Sequence, residues 1–558
     1  VEVEVSGDLV AGIAVSDLVA MPAGGGFLVG LVDTISARAA GDGRSATGAP
    51  AGAVTADLRV MPIGSFVAEP GGAAALRRGA SAYPRIGAGC HLIDGALLSA
   101  LMSIVADVVG AGERLVLGHY LSEGEAPAVA DGNYLFQRHV ALLGSTGVGK
   151  SWAVALMLER ASALAHANLI VFDLHGEYGP LTQPANGRAP VARGLQVAGP
   201  ADLGRSDDHI LYLPYWLLER DELLALTLNP SDPNASDQVV RFTQHVQTLK
   251  GVYLVQVGRE DTVPMFTADS PIPYSLGHLA QMLRRDDTEQ IPQPPSHRLE
   301  PGPHYGRLTG FISRIAARID DPRYGFIFTP PDHTLAYEWL ADMARILLGA
   351  EQGKPGIKII DLSEVPSSIV PIVVGVLARL VYNVQFWMDP DQRTPVCLVC
   401  DEAHLYLPQA DNPGRLQSAA LRAFESIAKE GRKYGVGLLV VSQRPTDVNR
   451  TILSQCNNFI VMRMTNDSDQ AMIKHLVPES VSGVTDLLPV LDVGEAVVIG
   501  DALRLPTRIL FDAPAIRPAS TTKPYWSLWA TQPSSPEAIV AGVEAMRNQL
   551  RGRRAVQP

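Results

Sequence analysis

Gly144-Ser145-Thr146-Gly147-Val148-Gly149-Lys150-Ser151 follows an apolar run at residues 139–143 and precedes a helical pattern at residues 151–163. The three glycines allow consecutive backbone N–H groups to turn toward one point, an arrangement suited to an anion. Lys150 adds a positive charge there, and the Ser151 hydroxyl is a hard ligand for a divalent cation. The helix that follows aims its positive end at the same place. Strand, glycine-rich loop and helix together predict a phosphate-binding loop for ATP with Mg²⁺. Residues 144–151 and the adjoining Trp152 would surround the nucleotide, and Ser151 would meet the metal.

Such a loop demands a second buried strand that brings acids to the same site. Val396-Cys397-Leu398-Val399-Cys400-Asp401-Glu402 has that form. The spacing predicts Asp401 in the Mg²⁺ shell and Glu402 as the group that orients or deprotonates an attacking water. Asp401-Glu402-Ala403-His404 also spells the box of the DEAH helicases. Those enzymes carry two tandem motor domains and place the box much closer to the loop, whereas here it lies about 250 residues beyond Lys150. His404 is therefore read as a packing or hydrogen-bonding residue.

A further apolar run, residues 437–442, ends at Gln443-Arg444-Pro445. A polar side chain at the tip of a neighbouring strand predicts Gln443 as a γ-phosphate sensor. Before that run stands Glu430-Gly431-Arg432-Lys433-Tyr434-Gly435. An arginine supplied by a neighbouring subunit completes many γ-phosphate sites. Arg432 is the leading candidate for that finger, Arg138 the second and Arg444 a weaker third. Asp173-Leu174-His175-Gly176-Glu177-Tyr178 closes another strand, and strand C-termini line the ligand crevice of an open parallel sheet. His175 and Glu177 face either the nucleotide or a channel, or the loop is purely structural.

The composition is globular, with 47% hydrophobic and 19% charged residues in 558, and the length calls for several domains. A net charge of −12 is not that of a protein coated by nucleic acid, though it leaves room for a local basic surface. Four cysteines in so long a chain point to a reducing compartment, the cytoplasm. Cys397 and Cys400 form a CxxC; with no second ligand pair, it reads as two small apolar residues of a buried strand. Neither apolar run, 92–110 nor 369–388, reads as a membrane span, because polar residues interrupt both. Nothing at the present N-terminus, which begins at Val1, reads as a leader.

The expected fold is α/β: a RecA-like P-loop core with an N-terminal β-barrel domain and an inserted helical subdomain. Residues 1–90, rich in Val, Gly and Ala, form the small β domain, with a Gly/Ala-rich hairpin loop at 39–53. Residues 91–180 begin the core. Residues 181–350 are the insertion, read as helical and broken by a Pro-rich loop at 291–303. Residues 351–515 complete the core, and 516–558 form a tail that ends in a basic helix at 536–554. Core strands are expected at 139–143, 169–173, 357–361, 396–401, 437–442, 459–462 and 496–499. Several of these are continuous Val/Ile/Leu runs suited to a parallel sheet covered on both faces.

Taken in order, these motifs resemble the HerA family, a branch of the HerA/FtsK ATPases. The matching pieces are Arg138-His139, the glycine-rich loop, Asp173 to Tyr178, Ile359 to Ser363, Asp401 to His404, Glu430 to Leu438, Ser442 to Pro445, and Asn466-Asp467-Ser468-Asp469. The resemblance covers about residues 112–512. It implies a homohexameric ring with ATP sites between subunits and a central channel for double-stranded DNA. It implies a translocase or helicase that serves a partner, a NurA-like nuclease in end processing or a sirtuin-like effector in anti-phage defence. The tail would brace a neighbouring subunit. Channel loops would grip the DNA backbone, with 176–193 and 405–415 as candidates. Two other readings stand beside this one: an ATP-binding hexameric scaffold that regulates an effector nuclease, and a conjugative secretion motor. No membrane segment or long coupling domain supports the last.

Overall fold

The computed structural model describes residues 3–5, 8–10, 13, 17–39, 54–68, 74–80, 82–121, 123–185, 187–293, 298–349, 351, 353–410, 414–503, 505–520 and 523–547. The chain divides into two compact units. The first comprises Val1–Ala161 and Leu438–Arg517, and the second Ser162–Gly437 and Pro518–Pro558.

The first unit opens on an antiparallel sheet of five strands, ordered Ala74–Arg78, Val54–Ala68, Gly26–Ala39, Leu18–Ala23 and His91–Leu92. Leu18–Ala23 and Gly26–Ala39 are joined by Gly24 and Gly25, both at positive φ (58° and 83°), the two-residue turn that matches strand twist. Val19, Leu28, Val29 and Ile63 are buried, Leu28 and Val29 on opposite faces of their strand. The loop expected at 39–53 lies outside the described residues apart from Ala39, which ends a strand.

In the same unit Val140–Leu143 pairs in parallel with the strand Val436–Ser442 on one side and with Asn458–Met462 on the other. All four residues of Val140–Leu143 are fully buried, as continuous apolar runs require. Beyond Asn458–Met462 the sheet is no longer parallel. Glu495–Gly500, Thr507–Phe511, Arg114–Tyr120 and Glu123–Asp131 add antiparallel neighbours in turn. The run at 496–499, expected in a parallel sheet, is thus antiparallel. Thr507–Phe511 follows Glu495–Gly500 after six residues, a link far too short for a parallel crossover. His139 does not join its strand: its φ is +54°, and its Nδ1 accepts from the backbone N–H of Leu438 at 3.0 Å.

The second unit carries five parallel strands ordered Ile210–Leu211, Arg193–Val197, Ile357–Asp361, Leu169–Asp173 and Val396–Cys400. Arg193–Val197 and Ile210–Leu211 fall inside the stretch read as helical. Their buried and half-buried residues alternate, a signal too short to stand out beside the long helices. Those helices include Ala235–Gln256, Leu276–Thr288, Thr309–Ile319 and Trp339–Leu347. The Pro-rich loop is instead an antiparallel pair, Gln290–Gln293 with Arg298–Pro301; residues 294–297 lie outside the described residues.

Val370–Trp387 is long and apolar enough to cross a membrane, and 67% of it is buried in the protein. Within it, Arg379 is held by Glu222 at 2.7 Å and 3.2 Å. Gly95–Asp107, the other apolar run, buries Leu98, Leu101, Met102 and Val105 and leaves Leu97 exposed. The tail forms two helices, Tyr525–Thr531 and Pro536–Arg547, with no buried residue among those described. The expected basic helix extends beyond them, and residues 548–554 lie outside the described residues.

Candidate nucleotide site

The glycine-rich loop leaves the buried strand at Gly144. A β-carbon there would lie 2.8 Å from Met462 Cβ and 3.0 Å from Val148 Cγ2, so only glycine fits without a shift. Gly147 and Gly149 have φ of +76° and +107°, which other residues rarely adopt. Lys150 begins the helix Lys150–Ser162 and is buried. Its ammonium donates to the carbonyls of Gly144 and Ser145, both at 3.0 Å. The loop therefore curls around its own lysine, and glycine backbone, ammonium and helix N-terminus form a donor set that fits a phosphate group. Ser151 and Trp152 are half-buried on the first turn. The Arg517 guanidinium sits 5.5 Å from the Trp152 ring centre, a cation–aromatic pair that composition alone could not locate.

Gln443 stands at the end of Val436–Ser442, and its Oε1 accepts a hydrogen bond from the Thr146 hydroxyl. The first unit thus brings Lys150, Thr146 and Gln443 together. Arg138, expected as a second finger, pairs with Asp501 at 2.5 Å and covers the Tyr134 ring at 4.4 Å. Both partners lie in its own chain and compete with any role across a subunit boundary. Arg444 is exposed and pairs with Asp447 at 3.1 Å.

In the second unit the strands Leu169–Asp173 and Val396–Cys400 run side by side, and acids follow both. The buried Asp173 carboxylate accepts from the backbone N–H groups of Glu177 at 3.0 Å and Tyr178 at 2.9 Å. These bonds close the turn, in which Gly176 has φ of +69°. Burial pushes Asp173 up to about 6, reinforced by Asp361 and Glu177 and opposed by the two N–H donors. His175 is exposed and Glu177 half-buried. The Glu177 carbonyl accepts from the backbone N–H of Ala519 at 2.7 Å.

Asp401 is buried, and its Oδ1 accepts from the backbone N–H of Glu402 at 3.0 Å. Burial, and then the charges of Glu402, Asp173 and Glu177, push its carboxyl well above the usual range. A site with this excess of acid calls for a cation. Among the described residues no group of three or more His, Cys, Asp and Glu side chains is arranged to hold a metal by itself. Mg²⁺ is typically bound by one or two protein oxygens together with water and phosphate. Glu402 has φ of +46°, a backbone state that costs a non-glycine residue free energy and clusters at functional sites. His404 Nδ1 lies 3.4 Å from Glu402 Oε2, so the histidine set aside with the DEAH box touches the expected catalytic acid. Cys397 and Cys400 are buried, and burial pushes Cys397 up to about 12, which leaves it inert.

Arg432 is exposed on the short helix Gly431–Tyr434. A β-carbon at Gly431 would lie 2.5 Å from the Val436 carbonyl oxygen, and Gly435 has φ of +74°. Both glycines of the 430–435 motif are thus required by the backbone that presents the arginine.

A glycine loop between a buried parallel strand and a helix, with acids at the ends of other parallel strands, defines a P-loop nucleoside triphosphatase. The family model for the central domain of helicase HerA matches residues 115–381. Among similar proteins, a probable helicase of Methanocaldococcus jannaschii, MJ1565, is 26% identical over 73% of this chain and 69% of its own length. The DNA double-strand break repair helicase HerA of Pyrococcus furiosus is 27% identical over 68% of this chain and 66% of its own. A probable double-strand break repair helicase HerA of M. jannaschii is 37% identical over 118 residues, 22% of its length. Over these residues the chain is similar to the HerA helicases.

Proposed function

We propose that this chain is an ATP-dependent double-stranded DNA translocase, or helicase, that acts as a homohexameric ring in the cytoplasm. The observation that carries the reading is the glycine-rich loop closed around Lys150 in a chain similar to the HerA helicases. Residues 144–151 would hold the triphosphate, with Trp152 and Arg517 beside it. Ser151 and Asp401 would hold Mg²⁺, which when bound draws charge from the phosphate oxygens. Glu402 would orient the attacking water, steadied by His404, and Gln443 would sense the terminal phosphate. Arg432 would reach the site of the neighbouring subunit, since its own chain gives it no acidic partner among the described residues. Arg138, paired with Asp501, is the lesser candidate for that task.

In the same reading the N-terminal sheet is the small barrel, and the partner served is a NurA-like nuclease or a sirtuin-like effector. The work served is DNA end processing or anti-phage defence. Residues 516–558 brace the next subunit, and the helices of 181–350 form a subdomain on the core. The exposed, apolar tail helices support the brace: Tyr525, Trp526 and Trp529 are all more than half exposed.

The test is steady-state ATP hydrolysis by the full chain, with and without linear duplex DNA, alongside native mass determination. Hydrolysis stimulated severalfold by DNA, lost in Lys150→Ala, together with a hexamer mass, is the expected result. Hydrolysis indifferent to DNA overturns the translocase reading.

A further inference from the structure

Arg432 has an exposed side chain, so its aim depends on the backbone of Gly431–Tyr434. Two side chains hold that turn. The Tyr434 ring packs edge-on against Tyr382, with centres 5.6 Å apart and planes at 87°, and lies 5.1 Å from Phe386. Tyr382 and Phe386 belong to the last turns of Val370–Trp387. Arg393 closes the arrangement from the other side. Its guanidinium donates to the carbonyls of Gln385 at 2.8 Å, Met388 at 3.1 Å and Phe386 at 3.2 Å, capping the C-terminus of that helix. The same guanidinium lies 5.1 Å from the centre of the Tyr434 ring and reaches the Lys433 carbonyl at 3.4 Å.

One planar group thus ties the end of an 18-residue buried helix to the residues on the C-terminal side of Arg432. On the N-terminal side, the close approach of Gly431 to the Val436 carbonyl pins the turn. We propose that Arg393 and Tyr434 are positioning residues for Arg432, holding its turn in the one geometry from which it can serve a neighbouring ATP site. The proposal rests on the reading of Arg432 as a finger. A misplacement of about 1 Å can cost about 10²-fold in rate, so a finger on a short turn needs such a clamp. Lysine cannot replace Arg393, because an ammonium offers neither a planar fork for several carbonyls nor a flat face for the tyrosine ring.

The experiment is steady-state ATPase kinetics of the full chain with duplex DNA, for Arg432→Ala, Arg393→Ala, Arg393→Lys, Tyr434→Leu and the double variant R393A/R432A. Arg432→Ala is expected to lower kcat about 10³-fold. Arg393→Ala and Tyr434→Leu are expected to lower kcat about tenfold with KM for ATP nearly unchanged, and Arg393→Lys to behave like Arg393→Ala. The decisive reading is the double variant, which should be no slower than Arg432→Ala alone. A helix cap that merely stabilised the fold would slow both backgrounds by the same factor, and that result overturns the proposal. Wild-type kcat in folded Tyr434→Leu, beside a slow Arg432→Ala, also overturns it, even where Arg393→Ala fails to fold. Wild-type kcat in Arg432→Ala strikes the finger reading itself and takes this proposal with it.

Discussion

The hydroxyl of Thr146, at the tip of the glycine-rich loop, donates to Oε1 of Gln443, the first residue past the strand Val436–Ser442. The strand end is thereby tied to the glycine-rich loop, and a change at one is felt at the other. With its Oε1 on Thr146, the Gln443 amide Nε2 is the end suited to donate to a phosphate oxygen. Gln443→Ala is expected to lower kcat about 10²-fold while a fluorescent ATP analogue binds within a fewfold of wild type. Gln443→Glu keeps the acceptor for Thr146 and loses the donor, so it should fall as far. An active Gln443→Glu would show that the bond to Thr146, rather than donation to phosphate, is what matters.

Lys150 and Glu402 should fail in different ways. If Lys150 supplies charge to bound phosphates, as proposed, Lys150→Ala should lose nucleotide binding as well as hydrolysis. Glu402 sits in a strained backbone state against His404 and is expected to act only on the reacting water. Glu402→Gln should bind ATP normally and hydrolyse it about 10³-fold more slowly or worse. Equilibrium binding beside single-turnover hydrolysis separates the two. His404→Ala should lower kcat with little change in KM, because it touches Glu402 and not the loop lysine's carbonyl partners.

The glycine-rich loop and the continuous apolar strands were legible because each residue there answers a local demand. Gly147 and Gly149 need positive φ, and Val140–Leu143 and Val396–Cys400 need apolar cover on both faces. Antiparallel strands such as Arg114–Tyr120 and Thr507–Phe511 were not legible. Each mixes buried with half-buried or exposed residues, and the two pair with each other from distant parts of the chain. The contacts of Trp152 with Arg517 and of Arg138 with Asp501 span hundreds of residues and leave no local trace. Arg393 was invisible for a different reason: its partners are backbone carbonyls and one ring, which no spacing rule describes.

Gly431 and Gly435 differ in why they cannot change, and the cost should differ too. A β-carbon at Gly431 would meet the Val436 carbonyl at 2.5 Å and Ile427 Cγ2 at 3.0 Å, both in packed surroundings. Gly431→Ala is expected to destabilise by about 2–4 kcal/mol, as overpacking against backbone does. At Gly435 there is room, since the nearest atom is 3.5 Å away, and only the φ of +74° opposes a side chain. Gly435→Ala should cost about 1–2 kcal/mol, and Gly435→Asn less, because asparagine tolerates that region. Denaturant midpoints of the three variants measure the order, and a Gly435→Ala less stable than Gly431→Ala would show that the packing around Gly431 yields to a methyl group.

Lys358 gives the fold a pH dependence of unusual sign. It is fully buried on the strand Ile357–Asp361, with its ammonium on the Asn168 side chain and the Gly356 carbonyl. Burial pulls it down to about 7, opposed by Glu351 and reinforced by Arg193. The unfolded chain holds this proton up to about pH 10.5, whereas the folded chain releases it near 7. Between those values the unfolded state binds more protons, so this residue makes stability rise with pH across the window. Below about 7 both states are protonated, and the cost of the buried charge is constant. Lys358→Met removes the titration, so the wild type should gain on the variant by a few kcal/mol between pH 7 and 9.5. Urea midpoints and slopes for both chains at pH 6.5, 8 and 9.5 measure that gain. A wild-type-minus-variant difference that stayed level across the three would show that the folded protein keeps Lys358 charged.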